Sequence, residues 1–129
     1  MKNIVLICAV IMLSVNVSAQ RVTKVEGTTT TDLVSVLNGS IEAGKTAGWG
    51  SRDLDTEDGT VTLWRNIGNV GHQLVVNVSV SKQENGSSVT FVIHHIQGNL
   101  DNYRRRLQQI INNLSLPDLK LGEYQTGVF

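Results

Sequence analysis

His72-Gln73-Leu74-Val75-Val76-Asn77-Val78-Ser79-Val80-Ser81 is the stretch on which the fold of this chain turns. Leu74, Val76, Val78 and Val80 alternate with Val75, Asn77, Ser79 and Ser81. Successive strand side chains point to opposite faces, so this period of two marks a strand with one buried and one wetter side. Turn signals lie on both sides. Gly68-Asn69-Val70-Gly71 precedes the strand, Asn85-Gly86 follows it, and Asp58-Gly59 lies farther upstream. Asn-Gly and Asp-Gly supply the positive φ that tight hairpins need. The segments between these signals, 49–56, 60–67, 72–81 and 88–96, are predicted to form a four-stranded antiparallel meander.

Helical patterns flank the strands. Asp32 is an N-cap candidate, and Leu33, Val34, Leu37, Ile41 and Gly44 recur at helical spacing after it. Asn99 is a second cap candidate. Leu100, Tyr103, Leu107, Ile110, Ile111 and Leu114 then form an apolar stripe that Pro117 ends. Both stripes need burial, and one face of the sheet can bury both. The predicted fold is therefore α+β: a four-stranded antiparallel sheet with two amphipathic helices on one face. Residues 21–26 read as a possible extra N-terminal strand. The tail, 115–129, keeps Leu119, Leu121, Tyr124, Val128 and Phe129 and is expected to dock on the body.

Simple hairpin registers place Leu54 opposite Leu63, Leu63 opposite Val76, and Val76 opposite His95. A bulge would swap the faces of any strand beyond it. In this register Leu54, Val61, Leu63, Ile67, Leu74, Val76, Val78, Val80, Phe91 and Ile93 face the helices. The other face is polar, as one side of an antiparallel sheet commonly is. Across it runs one apolar row of Trp64, Val75 and Ile96, with Val92 and Trp49 nearby and His94 beside Asn77. An exposed tryptophan among aliphatic neighbours is typical of binding hot spots. These six residues, Trp64, Val75, Ile96, Trp49, Val92 and His94, are the candidate site for a protein partner or an apolar ligand. The competing reading is that the chain's own N-terminal segment or its tail folds over the patch, with Tyr124, Val128 and Phe129 fitting as cover.

Chemistry is sparse. His94 and His95 are adjacent in a strand, so they point to opposite faces and cannot close on one metal. Asp53-Leu54-Asp55-Thr56-Glu57-Asp58-Gly59 lacks the glycine and glutamate spacing of a calcium loop. Asp55, Thr62, Asn77 and His94 share a polar row, but three strands separate Asp55 from His94, about 14 Å. No G-x-S-x-G elbow is present. Arg104-Arg105-Arg106 spreads around a helix as a solvated face. No catalytic residue, metal set or cofactor motif is assigned.

The N-terminus carries an address. Lys2, the apolar run 4–13 and Val17-Ser18-Ala19 have the layout of a secretory signal peptide cut after Ala19. A run of ten apolar residues is half of what a spanning helix needs, about 20. Ile7 before Cys8 is too bulky for a lipoprotein cleavage site. The expected organisation is a cleaved signal, 1–19, and one domain, 20–129, exported to the periplasm or secreted. The mature chain loses Cys8, Met1 and Met12 and so contains no sulfur, which excludes disulfides and thiol chemistry. A chain of this length buries roughly 65% of its unfolded surface and can fold alone.

The whole sequence of 129 residues balances 11 Lys+Arg against 11 Asp+Glu. Nucleic acid or an anionic membrane as a bulk partner would require a basic excess. Hydrophobic content of 40% argues against both disorder and a polytopic membrane protein.

In pattern, a helix leads through Ala47-Gly48-Trp49 into a strand. An Asp-x-x-x-Gly turn before Thr60-Val61-Thr62-Leu63, two long strands and a closing helix follow. Over residues 28–114 this resembles small exported bacterial domains with a TATA-binding-protein-like or BamC-like α–β4–α plan. The resemblance implies an envelope-associated role in binding or assembly. The expected function is a non-enzymatic exported binding module. Two alternatives are open: an exported hydrolase using the polar face, and an inhibitor or immunity protein.

Overall fold

The structure is a computed structural model and describes residues 21–67, 72–96 and 100–128. The expected signal segment 1–19, the turn at 68–71, the Asn99 cap and Phe129 lie outside the described residues. The elements run β1 (Val22–Thr29), α1 (Leu33–Thr46), β2 (Gly50–Asp55), β3 (Thr60–Ile67), β4 (His72–Gln83), β5 (Gly86–His94), α2 (Leu100–Asn112), β6 (Lys120–Leu121) and β7 (Gln125–Gly127). The fold is α+β with an antiparallel sheet and two helices, but the sheet is larger than four strands. Among the described residues it has seven, in the order β2-β3-β4-β5-β1-β6, with β7 also on β1.

The extra strands come from both ends of the chain. β1 is rich in β-branched residues and pairs with β5 along its whole length, from Val22↔His94 to Thr29↔Ser87. The tail then adds two short pieces to the outer edge of β1, Lys120–Leu121 opposite Gly27 and Thr28, and Gln125–Gly127 opposite Val22 to Lys24. Covering an edge in this way removes a row of unpaired backbone groups.

Asp32 caps α1, its carboxylate accepting the Ser35 N–H at 3.1 Å. The buried stripe of this helix is Leu33, Val36, Leu37, Ser40, Ala43 and Gly44. Val34, expected in the stripe, is 44% exposed, and Val36 takes its place. Ser40 is tolerated in the core because its hydroxyl donates to the Val36 carbonyl at 2.8 Å. In α2 the buried residues are Tyr103, Leu107, Ile110 and Ile111. Both helices close over the sheet face formed by Val25, Val61, Leu63, Leu74, Val76, Val78, Val80, Val89, Phe91 and Ile93.

Register explains which expectations hold. Leu63↔Val76 is found as expected. Val76 pairs with Ile93 and not with His95, because the β4–β5 turn is Glu84-Asn85 and Gln83 pairs with Gly86. That is a shift of two, which preserves the side-chain parity, so the faces of β5 are unchanged. Gly86 permits it at φ +142, where an added Cβ would lie 2.1 Å from the Thr29 carbonyl oxygen.

β2 departs more. Ser51↔Leu63 and Arg52↔Thr62 give way to Asp55↔Thr60 across a bulge, with Asp53 at φ 56. Ser51, not Leu54, therefore faces Leu63. That is a shift of three, an odd number, and it exchanges faces. Leu54, expected in the core, is 47% exposed. Trp49, expected near the open face, is 3% exposed in the core.

Candidate binding face of the sheet

The face opposite the helices is built around Trp64. Trp64 is half-buried on β3 and pairs with Gly50 on one side and Val75 on the other. The indole lies over Gly50. A Cβ at Gly50 would fall 2.8 Å from Cε2, 2.9 Å from Nε1 and 3.0 Å from Cζ2. Glycine is what lets the ring lie close to the edge strand. Asn66 and Gln73, an exposed cross-strand pair, flank the ring one step along.

A hydrogen-bond chain crosses three strands beside it. Thr62 Oγ1 donates to Asn77 Oδ1 at 3.3 Å, and Asn77 Nδ2 donates to His94 Nε2 at 2.8 Å. With its oxygen turned to Thr62, Asn77 presents only N–H to the imidazole. Nε2 then accepts and the proton sits on Nδ1. Burial lowers the pKa of His94, because the charged form loses hydration. Val92 is half-buried between Asn77 and Lys24.

Of the six expected site residues, four share this face: Trp64, Val75, Val92 and His94. Trp49 belongs to the core, moved there by the β2 bulge. Ile96 does not extend the Trp64–Val75 row. The observed β4–β5 register continues Val75 to His94, and Ile96 lies beyond the end of β5. It is 38% exposed, and its N–H donates to the Tyr103 hydroxyl at 2.9 Å. Asp55 is not brought to His94 either. Its carboxylate accepts the N–H groups of Glu57 and Asp58, each at 3.0 Å, in its own turn. One residue of the face was missed. Val22 pairs with His94 and is buried, and only the long-range β1–β5 pairing places it there.

The described residues of the tail do not cover Trp64. β6 and β7 lie beyond β1, with β4, β5 and β1 between them and β3. Four strand spacings are about 19 Å. Tyr124, the expected cover, packs against the core. Its hydroxyl donates to Gln108 Oε1 at 2.5 Å, and Arg104 sits over its ring at 4.8 Å. Burial raises the Tyr124 pKa, and the Arg104 charge opposes that rise. Val128 is 58% exposed.

A second concavity, about 440 Å³, opens where the β4–β5 turn, the end of β1 and the tail meet. Asp118 is among its lining residues and had no signal in the sequence beyond its place after Pro117. Its oxygens accept from Thr29 Oγ1 at 2.7 Å, from the Thr30 N–H at 2.8 Å and from Thr30 Oγ1. These bonds hold its pKa down to about 2. With its carboxylate so engaged, Asp118 serves to anchor the tail. Among the described residues no three His, Cys, Asp or Glu side chains gather to hold a metal, and no helix is long and apolar enough to cross a membrane.

Comparison with known proteins finds no matching family model and no matching curated relative. A solved structure, the adenosylmethionine decarboxylase from Aquifex aeolicus VF5, aligns with 85% of this chain and 90% of its own. Identity is 13% and the TM-score is 0.40, a likeness that carries no functional argument.

Proposed function

We propose that this chain is an exported, non-enzymatic module that binds a protein or an apolar ligand on the open face of its sheet. Trp64, Val75, Val92 and His94 are the residues of that surface. The observation that carries the reading is the position of Trp64. Its indole rests on Gly50, on the side away from both helices, and the described tail runs along the far edge. A large aromatic on a preformed, rigid sheet loses little entropy on binding and offers much contact area. The neutral charge balance is consistent with a partner chosen by shape and apolar contact. The alternative of a hydrolase on the polar face gains no support from Asp55, which caps its own turn.

Two measurements test this. Mass spectrometry of the protein from its native envelope should give a mature chain beginning at Gln20, and an intact Met1 would refute export. Native-envelope material should also retain a partner on the wild-type protein and lose it on Trp64→Ala. Equal retention by both, with Trp64→Ala folded by circular dichroism, would defeat the assignment of the face.

A further inference from the structure

The strongest unassigned cluster lies on the other face, around His95. His95 is 8% exposed. Its ring stacks on Tyr103 of α2, centroids 4.1 Å apart and planes within 16°. Its backbone N–H donates to the Arg21 carbonyl at 3.0 Å, which extends the β1–β5 ladder. Its Nε2 meets Thr23 Oγ1 at 2.7 Å, and Thr23 Oγ1 meets Thr126 Oγ1 of β7 at 3.0 Å. One imidazole thus ties together the first strand, the closing helix and the tail.

We propose that His95 is an acid-sensitive latch for the C-terminal strand: charging its imidazole frees β7 from β1 while the helix–sheet core stays folded. The neutral ring suits its surroundings. With Nε2 as acceptor, Thr23 donates to it and Thr126 donates to Thr23. A proton on Nε2 reverses this chain, since Nε2–H then donates and the Thr23 hydroxyl must turn to Thr126. The chain survives reversal, but the new charge remains shielded from water.

The groups acting on that charge are unfavourable. Burial opposes it most, the Arg21 guanidinium beside β1 repels it, and His94 on β5 repels it once itself charged. Stacking on Tyr103 favours a cation and keeps the ring on the helix. Hydration must therefore come from the Thr23 side. There the weakest cover is β7, paired with β1 over Val22 to Lys24 only, whereas β1 pairs with β5 from Val22 to Thr29. Water replacing Thr126 at Thr23 would solvate the charged chain and leave β7 undocked.

Proton linkage sets the size. Each pKa unit by which closure lowers the proton affinity of His95 makes opening about tenfold more frequent once the pH is below both values. The test uses the mature chain in solution NMR at about pH 7.5 and about pH 5, the span over which histidine titrates. Ring resonances report the charge of His95, and amide exchange of residues 125–127 reports the latch. The expected result is that protection at 125–127, taken against the intrinsic exchange rate at each pH, falls as the His95 ring charges, with β3–β5 protection unchanged. His95→Gln should keep the tail equally ordered at both pH values. Thr126→Val should loosen it at both. Three outcomes would overturn the proposal: a charged His95 with β7 still protected, a His95 that stays neutral at the lower pH, or a His95→Gln tail that opens on acidification like wild type. If His95→Gln does not fold, the wild-type ring titration and tail exchange still decide between them.

Discussion

Replacing Gly50 with alanine should lift the Trp64 indole off the sheet. The new Cβ would sit 2.8 Å from Cε2, 2.9 Å from Nε1 and 3.0 Å from Cζ2. Carbon contacts are comfortable at about 3.5–4.0 Å, so the ring must retreat by roughly 0.5–1 Å. Overpacking of this kind costs about 1–3 kcal/mol. Because the ring lies on the outer face and can swing toward solvent, the lower end applies. Removing a strand glycine returns about 0.5–1 kcal/mol through the unfolded chain. The net loss is therefore ~1 kcal/mol or less, or a fall in Tm of about 4–8 °C at most for a domain of this size. Acrylamide quenching and tryptophan emission read the ring directly. Trp49, buried at 3% exposure, serves as the shielded internal reference. Gly50→Ala should red-shift the emission and raise the quenchable fraction, with a urea midpoint only slightly below wild type. Unchanged quenching and emission would mean that Trp64 does not rest on Gly50, and the geometry of the open face would be wrong.

Other consequences follow from the same structure. Both His94 and His95 have lowered pKa values through burial, so the fold prefers their neutral forms. Their contribution to stability is complete above the ordinary value of 6.5 and is lost as the pH falls through that value toward the lowered ones. Urea midpoints at about pH 7.5 should exceed those at about pH 5.5, and a flat profile would contradict the burial of the two rings. Asp118 behaves in the same sense, in a more acidic window. Its pKa is lowered from 3.8 to about 2, so its contribution is present above 3.8 and is lost as the pH falls through about 2. Asp118→Asn should raise amide exchange at Lys120 and Leu121 at neutral pH, and unchanged protection there would show that the anchor lies elsewhere. Phe91→Ala, at a fully buried position of β5, should cost about 3–5 kcal/mol by equilibrium denaturation. A loss under about 1 kcal/mol would place Phe91 outside the core.

The comparison of Leu74 with Leu54 shows where local reading succeeds and fails. Leu74, Val76, Val78 and Val80 were legible as core because alternation is a local signal and strand parity survives an even change of register. The β4–β5 turn did differ from the simple expectation, by two residues, and no side chain changed face. Leu54 and Trp49 exchanged environments because the bulge at Asp53 shifts the register by an odd number. Nothing in the residues 50–55 marks that bulge as the turn glycines mark their hairpins. Trp64 on the outer face was legible from its place opposite Val75, and the Thr62–Asn77–His94 chain from the same alternation.

What the amino-acid order determined alone is the local part: two amphipathic helices, the alternating strands, the hairpins that join them, and the face that each of β3, β4 and β5 turns to the core. Those features depend on contacts between neighbours in sequence, where side-chain period and turn chemistry act. The tertiary structure decided the rest: the pairing of β1 with β5, the tail strands on the β1 edge, the Asp118 anchor, and the His95–Thr23–Thr126 chain. Each joins residues far apart in sequence, for example Thr23 with His95 and Thr126. Such pairings are chosen by competition among all available edges and faces once the core has formed, and no short window of sequence contains that competition.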